Sequence, residues 1–210
     1  MQSFFEAVPA AKWVRSTGRL HVYAVAGGEV AAMAEGYQRL LAERGVAGLS
    51  RQPASYLHLT VELIQRYVDE LTGDQLEQLV AALAGRIAAV PAFDMQIGPA
   101  LVALHSITLD AVPDQPWQLL RRSVREAIVA VLGEDAVAPL AGPGRPHITL
   151  GYAVGDVDID PHLSALNNCR LGRAVMPIER VYLVAVDQDP VAGVYIWPAP
   201  LAALPLGARR

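Results

Sequence analysis

The pattern of apolar and polar positions predicts an alternation of strands and helices in the first part of the chain. Residues 20–26 alternate with the period of two that is typical of a strand. Apolar residues recur at helical spacing over residues 29–41, and Gly45 is placed to end that helix. A second strand follows over residues 56–63, where every other side chain is apolar.

A similar order continues through the middle of the chain. Residues 72–75 fit a capping box that opens a second helix, and Pro91 ends it. Residues 93–97 and 101–111 predict two further strands. A third helix is predicted over residues 114–133, with its first residue as the N-cap.

The last third of the chain begins with a loop rich in Pro and Gly, residues 139–144. A strand over residues 145–152 follows it, and Asp160 opens a short fourth helix. Residues 181–186 and 194–197 predict a closing pair of strands.

This order of elements favours an α+β fold, with helices packed on largely antiparallel sheets. The length suits one domain over residues 1–210, built from one lobe or two. We expect residues 1–18 to form an irregular lead-in and residues 198–210 to form a flexible tail that frays.

Two of the predicted strands carry the same short motif. Residues 56–63 read YLHLTVEL and residues 145–152 read RPHITLGY, so each contains His-apolar-Thr-apolar. Random placement of the five histidines and five threonines gives about 0.03 such motifs in a chain of this composition. Two copies are therefore not expected by chance. Their similar settings also indicate a coarse internal duplication.

The spacing within the first motif has a structural meaning. Side chains alternate between the two faces of a strand, so His58 and Thr60 are expected on one face. Tyr56 and Glu62 share that face. The apolar residues between them, together with Leu63, are expected to face the core. An imidazole and a hydroxyl thus lie side by side on a rigid element, which suits a functional site.

The second motif repeats this arrangement. Arg145, His147 and Thr149 are expected on one face of their strand. Tyr152 falls on the opposite face unless a bulge intervenes.

Composition narrows the class of protein. The net charge of −4 and the pI of about 5.7 argue against a broad nucleic-acid-binding surface. Cys169 is the only cysteine, which excludes an intramolecular disulfide and a two-cysteine zinc site and fits a reducing compartment. No apolar run is long enough for a membrane span, and no signal-peptide pattern begins the chain. We expect a soluble, cytoplasmic monomer.

The paired residue types are suited to acid–base chemistry at phosphorus. Histidine titrates near neutral pH, so one ring can be neutral while another is protonated. If the two strands face one cleft, the neutral ring can take a proton from an attacking water, and the protonated ring can give one to the leaving oxygen. The threonine hydroxyls can donate to the non-bridging phosphate oxygens. This chemistry needs no metal or other cofactor.

The two motifs, with Pro146 before the second, resemble those of the 2H phosphoesterase superfamily. That group includes the bacterial 2'-5' RNA ligase-like proteins and the cyclic nucleotide phosphodiesterases. The resemblance covers residues 18–198 by element order, and residues 58–61 and 147–150 are its specific part. It implies a bilobal α+β fold with pseudo-two-fold duplication, in which two largely antiparallel sheets flank a central cleft and helices lie outside. It also implies metal-independent phosphodiester chemistry, typically the opening of a 2',3'-cyclic phosphate.

The resemblance implies roles for individual residues. His58 and His147 would form the acid–base pair, and Thr60 and Thr149 would bind the phosphate. Which histidine is the acid is left open.

Three residues beside the motifs are candidate substrate contacts: Arg145, Tyr56 and Tyr152. The acidic composition favours a small nucleotide or an RNA end that carries a 2',3'-cyclic phosphate over a long RNA. Two other functions stay open: ligation of RNA ends through a 2'-5' bond, and binding of nucleotides or RNA ends with little turnover.

The other three histidines lack the features of the motif. For the two motif histidines, the alternative to acid–base chemistry is metal binding. His21 and His105 lack a threonine two residues later and are expected to be structural. His162 follows a helix start, where residues two apart do not share a face. In a metal site, Glu62 would be the third ligand beside the motif histidines, but catalytic zinc motifs such as His-Glu-x-x-His are absent from the sequence.

Overall fold

The computed structural model describes residues 1–139, 145–169 and 171–209. The helices within these ranges are α1 (Phe4–Ala7), α2 (Gly28–Glu43), α3 (Gly73–Ile87), α4 (Asp114–Leu132) and α5 (Asp160–Asn168). The strands are β1 (Arg19–Val25), β2 (His58–Tyr67), β3 (Phe93–Val102), β4 (Ser106–Val112), β5 (His147–Tyr152), β6 (Ala174–Ile178), β7 (Arg180–Asp189), β8 (Val194–Ile196) and β9 (Ala202–Pro205).

The predicted α+β class is confirmed. The described strands pair antiparallel in the order β6-β3-β4-β5-β2-β1-β7-β8, and β9 also pairs with β7. Two halves meet where β2 lies beside β5, and this junction is a single residue pair, Leu59 with Ile148. Each half brings one of the two histidine strands to the junction.

The internal duplication is visible in the chain path. In one half, α2 connects the antiparallel neighbours β1 and β2, and in the other α4 connects β4 and β5. Both helices bury an apolar face in the main core, which also contains Leu59 and Ile148 with no exposed surface. Burial of such a side chain stabilises the fold by about 1.5–3 kcal/mol.

Most predicted elements are confirmed to within a few residues. The capping box at the start of α3 forms as expected: the Thr72 hydroxyl accepts from the backbone of Gln75 at 3.2 Å, and the Gln75 side chain accepts from the backbone of Thr72 at 3.0 Å. At the start of α4 the N-cap is Pro113, not Asp114, which is the first helical residue instead.

Other expectations are corrected. The tail does not simply fray, because β9 pairs with β7 and Leu204 is buried against the core. The lead-in contains α1 and a turn of 3-10 helix at Pro9–Ala11, and Phe5 is buried. Strand β3 continues through Gly98 as far as Val102, and β6 was not foreseen. The predicted loop with Gly142, Pro143 and Gly144 lies outside the described residues.

Strand β2 contains one extra residue directly after its motif. Thr60 pairs with Tyr23 of β1, but Glu62 pairs with Val22. Val61 is therefore a β-bulge, in which two residues of one strand oppose one of the other.

Strand β5 contains a bulge at the equivalent place. Thr149 pairs with Thr108 of β4, but Gly151 pairs with Ile107, so Leu150 is the extra residue. In both strands the bulge lies three residues after the histidine.

The bulges exchange the two faces of each strand beyond the motif. Leu63 and Tyr152, each five residues after its histidine, turn into the cleft. The prediction that Leu63 faces the core is therefore wrong. Glu62 turns in the opposite direction, away from His58.

Candidate active site

The two motifs face one cavity at the junction of the two halves. His58 and Thr60 of β2 and His147 and Thr149 of β5 all line it, and its volume is about 300 Å³. Aromatic side chains form much of the remaining wall: Phe4, Trp13, Tyr23, Tyr152 and Tyr195. The sequence-predicted quartet is thus brought together, although its members come from distant parts of the chain.

Both histidines are oriented by the same kind of hydrogen bond. Nδ1 of His58 donates to the carbonyl oxygen of Tyr56 at 2.7 Å, and Nδ1 of His147 donates to the carbonyl oxygen of Arg145 at 2.9 Å. The carbonyl oxygen can only accept, so Nδ1 carries the proton in each neutral ring. Nε2 is then left with a lone pair, which is the state that a general base requires.

The His58 ring lies in an aromatic setting. It is stacked on Tyr23, with ring centroids 3.8 Å apart and an angle of 22° between planes, and Trp197 lies edge-on at 5.3 Å. Burial lowers the pKa of His58 to about 4, and repulsion from His147 acts in the same direction, whereas the bond to the Tyr56 carbonyl opposes the shift. His58 is consequently neutral at pH 7.

The His147 ring has a different setting. It lies at the exposed start of β5, where it keeps contact with water. Its partner across the sheet is Asp110 of β4, and the Asp110 carboxylate accepts two hydrogen bonds from Arg145, at 2.8 and 2.9 Å. The two histidines therefore share an orientation but differ in solvation.

The threonine hydroxyls lie beside the rings and near further hydroxyl groups. Thr60 is half-buried and Thr149 is buried, and both line the cavity. Ser106 of β4 lines it too. The Tyr152 hydroxyl is hydrogen-bonded to the Thr149 side chain; burial raises the pKa of Tyr152 to about 12, and this bond opposes the rise. Several neutral hydroxyls are thus available to an anionic group.

The three candidate substrate contacts lie in different places. Tyr152 lines the cavity because of the bulge. Tyr56 lies beside the cleft, with its ring edge-on to Trp197 at 4.9 Å, and its carbonyl holds His58. The Arg145 side chain does not line the cavity but is paired with Asp110.

The structure does not assemble the rival metal site. Glu62 was expected on the His58 face, but it is buried on the other side of β2, where its carboxylate lies 3.3 Å from the Arg125 guanidinium of α4. The bulge at Val61 is the physical reason. Among the described residues, no group of three or more His, Cys, Asp or Glu side chains is arranged to hold a metal ion.

Sequence reasoning missed several cavity residues on β1 and near the termini. His21 was expected to be structural, yet it lines the cavity, and its Nδ1 is hydrogen-bonded to the Tyr23 hydroxyl. The period of two that places these residues on one face was readable in the sequence. Trp13 and Tyr195 could not be assigned, because their positions depend on long-range packing.

The other two histidines lie outside the cavity. His105 is in the turn between β3 and β4 and bonds the Gln2 carbonyl at 3.1 Å. It was expected within a strand. His162 is helical, as predicted, and is buried in α5.

The described part of the chain contains no helix with the length and apolar character needed to cross a membrane.

The chain is similar to known proteins in sequence pattern and in fold. The family model described as the 2'-5' RNA ligase superfamily matches residues 30–190. A comparison with curated protein sequences gives no match.

Solved structures share the fold at low sequence identity. TT0787 of Thermus thermophilus is 19% identical, with a TM-score of 0.70, and the match covers 91% of this chain and 100% of that one. LigT of E. coli, complexed with 3'-AMP, is 20% identical, with a TM-score of 0.64 and coverage of 90% and 98%. The MHV ns2 PDE domain is 14% identical, with a TM-score of 0.54 and coverage of 81% and 99%.

Proposed function

The chain belongs to the 2'-5' RNA ligase superfamily, and from this premise we propose that it is a metal-independent phosphodiesterase that opens 2',3'-cyclic phosphates of nucleotides or RNA ends. The observation that carries the proposal is the matched pair of histidines across one cavity. Each imidazole is held through Nδ1, so each can use Nε2 for proton transfer.

In the proposed reaction His58 is the general base. It is neutral at pH 7, so its Nε2 takes a proton from water as the water oxygen attacks phosphorus. One ester P–O bond of the cyclic phosphate breaks on the opposite side. The electron pair of that bond leaves with the ribose oxygen.

His147 is the general acid of the same step. From its exposed position at the start of β5 it gives a proton from Nε2 to the departing ribose oxygen, so one water is added across the P–O bond. Thr60 and Thr149 donate from their hydroxyls to the non-bridging oxygens of the phosphate. No step requires a cofactor.

The shape and charge of the cavity favour a small substrate. About 300 Å³ of space lined by aromatic rings accommodates part of a nucleotide, and stacking on aromatic side chains is a common way to hold a base. The net charge of −4 disfavours extended contact with an RNA backbone. Structures of the similar E. coli LigT contain 3'-AMP, ATP and NADP+, which are small nucleotides.

The test is hydrolysis of a panel of 2',3'-cyclic nucleotides in EDTA. We expect turnover by the wild type that survives EDTA and is lost in both His58→Ala and His147→Ala. Activity that disappears in EDTA and returns with a divalent metal would overturn the mechanism. An absence of turnover on every nucleotide, combined with tight binding of 3'-AMP, would favour a binding protein.

Ligation of RNA ends is the second candidate, because the family model carries that name. A 5'-hydroxyl would replace water as the attacking group. A 2'-5' bond keeps phosphorus on the 2' oxygen, so the P–O3' bond must break. The same geometry with water would give a 2'-phosphate. Product analysis with RNA fragments bearing 5'-hydroxyl and 2',3'-cyclic phosphate ends separates the two reactions.

A further inference from the structure

Tyr23 and His21 of β1 are buried beside His58, but the proposed reaction uses neither of them. We propose that they form a positioning pair: His21 fixes the hydroxyl of Tyr23, and the Tyr23 ring fixes the plane of the His58 imidazole. This inference rests on the proposed role of His58 as the general base.

The contacts of the His58 ring show what Tyr23 contributes. The bond from Nδ1 to the Tyr56 carbonyl fixes one point in the ring plane but leaves the ring free to tilt about that bond. Tyr23 covers one ring face at 3.8 Å and nearly parallel, which blocks the tilt. Trp197 stands edge-on to both rings, at 5.3 Å from His58 and 5.1 Å from Tyr23. Nε2 is thereby held toward the cavity.

Tyr23 is itself held at both ends. Its backbone lies in the middle of the sheet, opposite Thr60 of β2 and Tyr182 of β7. Its side chain is 2% exposed, and its hydroxyl is hydrogen-bonded to Nδ1 of His21. A ring fixed by the backbone and by its hydroxyl presents a rigid face to His58.

The buried setting of His21 indicates that its role is to form the hydrogen bond with the Tyr23 hydroxyl. His21 is 2% exposed, and among the described residues its Nε2 has no hydrogen-bond partner. An unpaired buried nitrogen opposes folding, so packing alone does not favour a histidine here. Function explains the histidine better than packing does, because only a polar side chain can fix the Tyr23 hydroxyl.

Burial keeps both partners of the bond uncharged. It lowers the pKa of His21 well below its usual value and raises that of Tyr23 well above it, so both are neutral. The bond therefore joins a neutral hydroxyl and a neutral imidazole nitrogen, and the tautomer of His21 decides which of them donates. Loss of the Tyr23 hydroxyl or of the His21 imidazole breaks this hydrogen bond. The aromatic ring at position 23 then stays in place, but the end of the ring that carried the bond is no longer held.

Other titratable groups surround this cluster. Tyr56 precedes β2, His147 and Tyr152 lie on β5, Tyr195 lies on β8, and Arg19 is on β1 near His21. All of them are retained in the variants below. A change in the titration of His58 then reports the loss of the Tyr23 ring alone.

Two variants of Tyr23 separate the ring from the hydroxyl. Tyr23→Leu removes the stacked face and admits water, so the pKa of His58 should rise from about 4 by at least one unit toward its usual value of about 6.5. Tyr23→Phe keeps the ring, and the pKa should stay near that of the wild type. Its kcat on a 2',3'-cyclic nucleotide should fall about tenfold with little change in KM, because the base is less well aligned.

Variants of His21 test the other half of the pair. His21→Leu removes the hydrogen-bond partner of the Tyr23 hydroxyl and should lower kcat by about as much as Tyr23→Phe, and the two changes combined should cost no more than either alone. His21→Gln retains a side chain that can donate or accept and should restore kcat to within about threefold of the wild type. Tyr37→Leu, on α2 in the main core and outside the cavity, is the matched control and should leave the pKa of His58 unchanged.

The pKa of His58 is measured by NMR titration of protein with ¹⁵N-labelled histidine, which needs no turnover. A wild type that turns over nothing would contradict the proposed function, and the titration would still decide the present inference. An unchanged pKa of His58 in Tyr23→Leu would overturn the inference about the positioning pair. A kcat of His21→Leu that falls only in proportion to the folded fraction measured by circular dichroism would overturn it too.

Discussion

His58 and His147 donate from the same ring nitrogen to the carbonyl oxygen two residues earlier in the chain, but one ring is buried and the other is exposed. His58 is 8% exposed and lies against Tyr23, whereas His147 begins β5 at the surface. Burial disfavours the charged form of the His58 imidazole, whereas the His147 imidazole keeps its contact with water. That difference supports the proposed roles of His58 as the base and His147 as the acid.

Replacement of either imidazole should abolish most of the activity. We expect His58→Asn and His147→Asn each to lower kcat on 2',3'-cyclic nucleotides by about 10²- to 10⁴-fold, the usual contribution of a positioned acid or base. The measurement is the steady-state rate at pH 7 in EDTA. His105→Asn changes a histidine outside the cavity and should retain full activity. A comparable loss in that control would show that the effect is not specific to the pair.

Burial of His58 also predicts how stability depends on pH. Its pKa of about 4 in the folded protein lies below the value of about 6.5 expected when unfolded, so the unfolded chain binds the proton more readily. The contribution to stability is fully present above about pH 6.5 and is lost as the pH falls toward 4. When the pH falls from 7 to 5, protonation linked to His58 should lower the free energy of unfolding by about 2 kcal/mol.

Urea denaturation at both pH values measures this effect. His21 shifts in the same direction, so the comparison must be between the wild type and His58→Asn, which still contains His21. The variant should lose less stability on acidification than the wild type. An equal loss in the two proteins would show that His58 is not desolvated as described.

The sequence reveals the elements that depend on local pattern. The motif pair needed only the period of two, and the capping box at Thr72 needed only the spacing of two polar residues. Four helices could therefore be predicted from the chain alone, and so could His58 and His147 as a facing pair.

The features that could not be predicted from the sequence depend on contacts between distant segments of the chain. A bulge inserts one residue without a signal in the alternation, so the alternation alone places Glu62 on the wrong face of β2 and does not decide the face of Tyr152 on β5. Strand β9 reads as a Pro- and Ala-rich tail because its pairing with β7, not its own composition, makes it a strand. The setting of His21 likewise requires the packing of Trp13, at 5.3 Å from its ring.

The hydroxyl of Thr60 should act on the phosphate and not on the fold. Thr60→Val removes the hydroxyl while keeping the shape, and we expect kcat/KM to fall about 10- to 100-fold with the melting temperature little changed. Thr60→Ser keeps the hydroxyl and should retain most of the activity. Thr17→Val, at an exposed position before β1, is the matched control. Equal activity of the Val and Ser variants would argue against phosphate binding by this residue.

The buried ion pair behind β2 should affect stability without affecting chemistry. Arg125 donates to the Glu62 carboxylate at 3.3 Å and to the Ala138 carbonyl at 2.6 Å. Arg125→Met leaves the Glu62 charge buried without its partner, so the free energy of unfolding should fall by about 3 kcal/mol. Since this face points away from the cavity, kcat per folded molecule should not change.

An exposed ion pair provides the comparison. Arg86 and Glu126 lie 2.8 Å apart with both side chains about half exposed, so Arg86→Met should cost less than about 1 kcal/mol by urea denaturation.

A double variant tests the cause of the loss at the buried pair. Addition of Glu62→Gln to Arg125→Met should recover much of the lost stability, because the uncompensated charge is removed. A double variant as unstable as Arg125→Met would show that the loss comes from packing of the arginine.

Gly151 couples the bulge of β5 to the neighbouring chain, and its replacement should damage both stability and activity. Its Cβ would lie only 1.9 Å from the carbonyl oxygen of Ser50, in a segment that bonds the backbone on either side of Gly151. Because backbone cannot yield as a flexible side chain can, Gly151→Ala should cost about 3 kcal/mol.

The shift would be transmitted to Thr149 and Tyr152, which line the cavity on either side of Gly151. We therefore expect kcat/KM per folded molecule to fall at least tenfold, since a displacement of about 1 Å in an active site can cost that much. Gly85→Ala is the control: a Cβ at this exposed position in α3 meets no atom within 4 Å, and the change should be neutral or stabilising by up to about 1 kcal/mol. Full activity in Gly151→Ala would mean that β5 can move without disturbing the cavity, and the rigid approach of residues 49–52 would then play no part in positioning the site.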